Sequence, residues 1–202
     1  VPGGFIPEQD KGYLVVNAQL DDGASLERTD EVIRTMTKIA LEEEEFKEAI
    51  GHAISVPGYS ILTGTNISNV GGMFVILKPF EERKGKAHLS APAVAKRLRE
   101  VYGKRIGKAR VAVFGAPPID GLGSTGGFKL QVQDRNSEGP AALEGGVALL
   151  ARAGNGQPGL IGLFSSYSAK QPQYQLPVDR EMVMARDVTP TDVYDTLGIY
   201  FG

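Results

Sequence analysis

Residues 121–133 read GLGSTGGFKLQVQ. Gly121, Gly123 and Gly126 satisfy the G-x-G-x-x-G spacing of dinucleotide-binding turns. That spacing holds a pyrophosphate only where a strand runs into the glycines and a helix starts on them, because the helix N-terminus supplies the amide donors. Here the glycines lead into Phe128, Lys129, Leu130, Gln131, Val132 and Gln133. Apolar and polar residues alternate strictly, which is the period of a strand. A strand offers an anion no helix N-terminus. The glycines are instead read as a hinge between one sheet and the strand that opens the next. What lies on either side of that hinge decides the fold.

Upstream, residues 13–20 (YLVVNAQL) read as a strand, closed by the turn residues Asp21-Asp22-Gly23. Ser25 suits the N-cap of a helix whose apolar stripe is Leu26, Ile33, Met36 and Ala40, with Val32 and Ile39 beside it. The run Glu42–Glu45 falls late in that helix, opposes its dipole and reads as a solvated face. Residues 50–57 are a second strand. Residues 58–70, rich in Gly, Ser, Thr and Asn, read as a loop. Residues 71–79 are a third strand. After a charged connection, Ser90 caps a helix with Pro92 in its first turn and a stripe of Val94, Leu98 and Val101. Residues 108–115 are a fourth strand. The order β-α-β-β-α-β is that of the split βαβ, or ferredoxin-like, unit.

Downstream the pattern begins again. Residues 127–133 are a strand. Pro140 suits the first turn of a helix with the stripe Leu143, Val147 and Leu150. Residues 159–166 and 172–178 are strands, and Asp179 caps a short helix. Thr189-Pro190-Thr191-Asp192 is a helix start with a capping residue, an N1 proline and an acidic N3 residue. The predicted fold is therefore α+β, with two tandem ferredoxin-like subdomains. The second lacks its last strand.

Composition excludes several functions. The 202 residues hold 22 Lys+Arg against 24 Asp+Glu, so there is no basic field for nucleic acid and no polybasic membrane patch. There is no Cys for disulfide or thiolate chemistry. The two histidines, His52 and His88, have no ligand cluster around them in the sequence, so neither a metal nor a cofactor is expected. No apolar run approaches the ~20 residues of a membrane helix. Val1 at the start and Tyr200-Phe201-Gly202 at the end read as cuts from something longer.

Several stretches, in order along nearly the whole chain, resemble the porter domain of resistance–nodulation–division efflux pumps, in the acriflavine-resistance-like branch that exports hydrophobic and amphiphilic compounds. They are residues 4–13 (GFIPEQDKGY), 23–29 (GASLERT), 117–128 (PPIDGLGSTGGF) running on to Gln133-Asp134-Arg135, then Pro172-Gln173-Tyr174, Val178-Asp179-Arg180 and Thr196-Leu197-Gly198. The resemblance implies a part of the second periplasmic loop of such a pump. Residues 1–12 would follow a membrane helix, 13–120 would be the first porter subdomain, and 121–202 an incomplete second one. In the family a docking domain is inserted before the last strand, which would account for its absence. The implied whole is a proton-driven homotrimer in the inner membrane of a Gram-negative-type bacterium, with this segment on the periplasmic side. Its partners would be a periplasmic adaptor and an outer-membrane channel, and its membrane contact would come only through other parts of the pump. No residue is assigned to catalysis.

The resemblance also implies a substrate path. Alignment of Ser55-Val56-Pro57-Gly58 and Phe74-Val75-Ile76-Leu77 places Ile54, Val56, Tyr59, Ile61 and Phe74 at the deep pocket. Residues 57–68 match the switch loop. Phe114, Pro117, Gly121, Ser124 and Phe164 fall at the outer pocket and cleft. Where pumps for large drugs are rich in Phe, only Phe74 is Phe here, and Gly121 stands where some members carry an acidic residue. Read from pattern alone, Val56, Phe74 and Phe114 are strand residues that suit a core. The competing reading is a soluble tandem ferredoxin-like module that binds a small regulatory ligand. An acylphosphatase-like enzyme would need a basic loop after the first strand, where Asp21-Asp22-Gly23 is acidic. The scattered Met36, Met73, Met182 and Met184 do not form a metal-export path.

Overall fold

The computed structural model describes residues 9–119, 125–160, 162–170 and 175–201. Two compact units divide the chain, residues 1–171 and 172–202. The first holds a four-stranded sheet. Strand β1 (Tyr13–Leu20) leads into helices α1 (Leu26–Glu42) and α2 (Glu44–Lys47). Strands β2 (Ile50–Ser60) and β3 (Thr65–Leu77) follow as a hairpin. Helix α3 (Phe80–Arg83), a 3₁₀ turn at Ala87–Leu89 and helix α4 (Ala91–Arg105) lead back to strand β4 (Ala109–Gly115). The sheet is antiparallel with order β2-β3-β1-β4.

Strand alternation sorts the side chains onto two faces. Leu14, Val16, Ala18 and Leu20 of β1 and Met73, Val75 and Leu77 of β3 join one core with α1 and α4. From α1 come Ile33, Met36 and Ile39, and from α4 Val94, Leu98 and Tyr102. Tyr102 is buried, so its hydroxyl donates to the Met36 carbonyl at 3.0 Å and burial raises its pKa. Gly71 lets α1 come close: a Cβ there would lie 2.5 Å from Cγ1 of Ile33.

The caps show how the helices are started. Ser25 Oγ accepts from the Arg28 amide at 3.4 Å, as its position predicts. Ser90 stands at the N-cap of α4, but its hydroxyl donates back to the Ala87 carbonyl at 2.8 Å. Asp10 caps that helix instead, accepting from the Ala91 amide at 2.9 Å. The acidic run behaves differently from a plain solvated face. The chain leaves the helix at Glu43, which bonds Arg105 of α4, while Glu45 meets Arg97 at 2.5 Å.

Residues 58–70, expected as a loop, are mostly ladder. Tyr59 pairs with Asn66 and Ser60 with Thr65, past an irregularity between Pro57 and Tyr59. Gly58 (φ 79°) sits at that bulge, and Gly64 (φ 71°) closes the turn with its amide on the Ser60 carbonyl at 2.8 Å. The small polar residues that read as loop chemistry supply a bulge and a tight turn instead. Thr29 Oγ1 donates to the Ser68 carbonyl at 2.6 Å and ties the hairpin to α1.

Beyond β4 the first unit carries helix α5 (Pro140–Asn155). The second holds helices α6 (Arg180–Ala185) and α7 (Pro190–Phe201). Asp179 caps α6 by accepting from the Met182 amide at 3.0 Å. Thr189 and Asp192 exchange backbone and side-chain bonds at the start of α7, a capping box. The expected strands 127–133, 159–166 and 172–178 are not in a ladder among the described residues. Phe128, Leu130 and Val132 keep their alternation but stand exposed, and α5 buries none of its side chains. Alternation makes a strand only where a neighbouring strand takes up its hydrogen bonds.

Candidate functional site

Helices cover one face of the sheet, so the functional question falls on the other. Residues Val15, Asn17 and Gln19 of β1 point there, between the core residues that alternate with them. The register builds rows across the strands. Ile54, Phe74, Val15 and Phe114 form the first row, from β2 through β3 and β1 to β4. Val15 at its centre is fully buried, while Ile54 at the edge is 58% exposed. Val56, Gly72, Asn17 and Ala112 form the second row.

The second row has a gap at Gly72, and Ile61 fills it. A Cβ on Gly72 would lie 2.5 Å from Cγ1 and Cδ1 of Ile61. The turn of the hairpin thus folds Ile61 back over the sheet. Gly71 and Gly72 serve opposite faces, one seating α1 and the other seating Ile61. Phe164 reaches the same face from the far segment, its ring 5.6 Å from that of Phe114 and tilted by 40°. That distance is an aromatic contact. Nearby, Gln19 Nε2 donates to the Ser166 carbonyl at 3.3 Å, and Ser168 Oγ meets Asp22 Oδ2 at 2.5 Å.

The residues singled out from sequence separate accordingly. Ile54, Phe74 and Phe114 share one row, Val56 lies in the next, Ile61 covers Gly72, and Phe164 stacks on Phe114. Tyr59 is half-buried on the hairpin, with its hydroxyl over Gly64. Pro117 is buried just after β4. Gly121 and Ser124 lie outside the described residues. Sequence reasoning did not single out Asn17 and Gln19. They line a cleft with Ser60, Thr65, Asn69, Ser166 and others, about 280 Å³ in volume. The available signal was two polar residues two apart within an otherwise apolar strand.

Together these features define an α+β domain with one sheet face under helices and the other carrying an apolar row beside a polar cleft. Among the described residues no group of His, Cys, Asp and Glu could hold a metal ion, and no helix is long and apolar enough to cross a membrane. The sequence profile of the AcrB/AcrD/AcrF family matches residues 1–202. The toluene efflux pump membrane transporter TtgB of Pseudomonas putida is 32% identical over the whole chain. The multidrug export protein AcrF of Escherichia coli is also 32% identical, and the multidrug resistance protein MdtF of Escherichia coli O6:H1 is 29% identical. The chain covers 19% of the length of each of these relatives. It belongs to the AcrB/AcrD/AcrF family. Its relatives are efflux transporters, so the family is one of transport proteins and not of enzymes.

Proposed function

We propose that this chain is a periplasmic porter segment of a proton-driven efflux pump and that the helix-free face of its sheet touches exported hydrophobic or amphiphilic compounds. The observation that carries this reading is the row Ile54–Phe74–Val15–Phe114 on that face, extended by Phe164. A core needs one apolar face per sheet layer, and α1 and α4 already supply it. A second apolar row, still open at Ile54, suits a ligand or a neighbouring domain. In the intact pump, residues 13–120 and 121–202 would be two ferredoxin-like subdomains. The pump would work as a homotrimer with an adaptor and an outer-membrane channel. Ile61 and Tyr59, on the bulged hairpin, would adjust the pocket to its contents.

The test is drug susceptibility of cells that make the intact pump, with protein levels matched. Phe74→Ala and Tyr59→Ala are each expected to lower resistance to at least one exported compound. A lost aromatic contact is worth about 0.5–1.5 kcal/mol, or roughly two- to tenfold in affinity. Unchanged susceptibility to every exported compound would remove these residues from the substrate path.

A further inference from the structure

Away from the sheet, the end of α5 carries a reactive pair. Asn155-Gly156 is the one place in the chain where glycine follows asparagine. In such a pair the glycine amide nitrogen can attack the carbonyl carbon of the asparagine side chain, and glycine has no Cβ to hinder the approach. Asn155 is the last residue of α5 and is exposed to water.

The fold holds both reacting groups. Asn155 Oδ1 accepts from the Leu163 amide at 2.8 Å, and Asn155 Nδ2 donates to the Leu163 carbonyl at 2.8 Å. Both bonds run to one residue, so they fix the plane and the sense of the side-chain amide. The Leu163 side chain lies on the same helix end: a Cβ on Gly154 would come 2.7 Å from its Cδ2. The attacking nitrogen is engaged as well, because the Gly156 amide donates to the Ala153 carbonyl at 3.2 Å. Ring closure needs that N–H freed and the Asn155 side chain turned out of its clasp on Leu163.

We propose that Asn155 is a site of spontaneous deamidation whose rate is gated by the Leu163 clasp. When the clasp opens, the Gly156 nitrogen forms a bond to Asn155 Cγ and the Cγ–Nδ2 bond breaks. The Gly156 proton passes through water to Nδ2, which leaves as ammonia. A second water then opens the cyclic imide at either carbonyl and leaves aspartate or isoaspartate at position 155. The product does not rebuild the clasp, because a carboxylate has no proton to donate to the Leu163 carbonyl. Conversion at Asn155 thus records how often Leu163, next to the Phe164 that stacks on Phe114, comes away from α5. The inference stands on the end of α5 alone and is independent of the pump reading.

Peptide mass mapping follows conversion at position 155 in the 202-residue chain, held in mildly alkaline buffer either folded or in urea. Conversion is expected to be about tenfold or more slower in the folded chain, the worth of two neutral hydrogen bonds. Leu163→Pro removes the N–H that holds Oδ1 and should speed conversion of the folded chain about fivefold, the worth of one such bond. Leu163→Ala keeps that N–H and should speed it less. The core lies within residues 14–113, so both variants should keep the wild-type thermal midpoint. Equal rates in the folded and urea-unfolded chains, or no conversion in urea, overturns the site. A Leu163→Pro chain that keeps its midpoint and converts no faster than wild type, or no faster than Leu163→Ala, overturns the gate.

Discussion

Arg83 is a buried charge in which each guanidinium nitrogen finds an acceptor. Its side chain is 3% exposed. Nε donates to the Lys78 carbonyl at 2.7 Å, Nη1 to Leu89 at 2.9 Å, and Nη1 and Nη2 form a fork on Asp10 at 2.7 and 3.1 Å. Asp10 in turn accepts from the amides of Ala91 and Gly12. The fork from Arg83, helped by those two amides, holds the Asp10 carboxyl below its ordinary value of 3.8, against the opposing effect of burial. A carboxylate with a lowered folded pKa contributes stability that is fully present above the unfolded value. It is lost as pH falls below about 3.8 toward the lowered one. Asp10→Ala leaves a buried guanidinium half-paired and α4 without its cap, so it should destabilise by about 3–5 kcal/mol in urea unfolding. The variant should also lose part of the acid sensitivity of the wild type below about pH 3.8. Parallel acid limbs for the two proteins would show that the pair is not linked to folding.

At the scale of elements, the hairpin β2–β3 works on both faces of the sheet through adjacent glycines. Gly71→Ala drives a methyl into Ile33, which is fixed in the core between α1 and the sheet. Such overpacking should cost about 1–3 kcal/mol. Gly72→Ala meets Ile61, which sits in a turn and can swing away, so it should cost less than about 1 kcal/mol. On the proposed pump reading, its effect should appear in drug susceptibility of cells making the intact pump, because Ile61 leaves its seat beside Asn17. Thermal unfolding of the two variants separates these outcomes; equal destabilisation would mean that Ile61 is as fixed as Ile33. The two glycines also mark the limit of what the sequence could tell. Residues 13–20, 50–57 and 108–115 read as strands because alternating β-branched and apolar runs there end in turn residues, and the ladder contains them except Lys108, which lies in the turn before β4. The hairpin tip was read as a loop because its Gly, Ser and Thr content is the same whether those residues form a bulge and turn or an open loop. The row through Ile54, Phe74 and Phe114 was reachable only by resemblance. Cross-strand neighbours depend on register, which no local pattern states. Asn17 and Gln19 escaped notice because a polar residue in a strand usually faces water, and only burial on both sides of β1 makes them unusual.

Across the whole molecule, burial is uneven. The core cluster lies entirely within residues 14–113. Helices α5, α6 and α7 bury no side chain, and Ile199, Tyr200 and Phe201 are about four-fifths exposed. Opening free energy follows buried apolar contact and internal hydrogen bonding, so hydrogen exchange should divide the chain the same way. The amides of β1, bonded to β3 and β4 on either side, should exchange slowest. Those of residues 128–133, exposed and outside any ladder, should exchange orders of magnitude faster in the 202-residue chain. The alternation of Phe128, Leu130 and Val132 nevertheless has the period of a half-buried strand. The chain spans 19% of the length of its relatives, and the second subdomain proposed above would take the ladder partner of these residues from the rest of a full-length polypeptide. In a polypeptide with the full family length, residues 128–133 should become protected to the level of a paired strand, while β1 changes little. Fast exchange of 128–133 in both settings would mean that the alternation serves no sheet, and the second ferredoxin-like subdomain would fall with it.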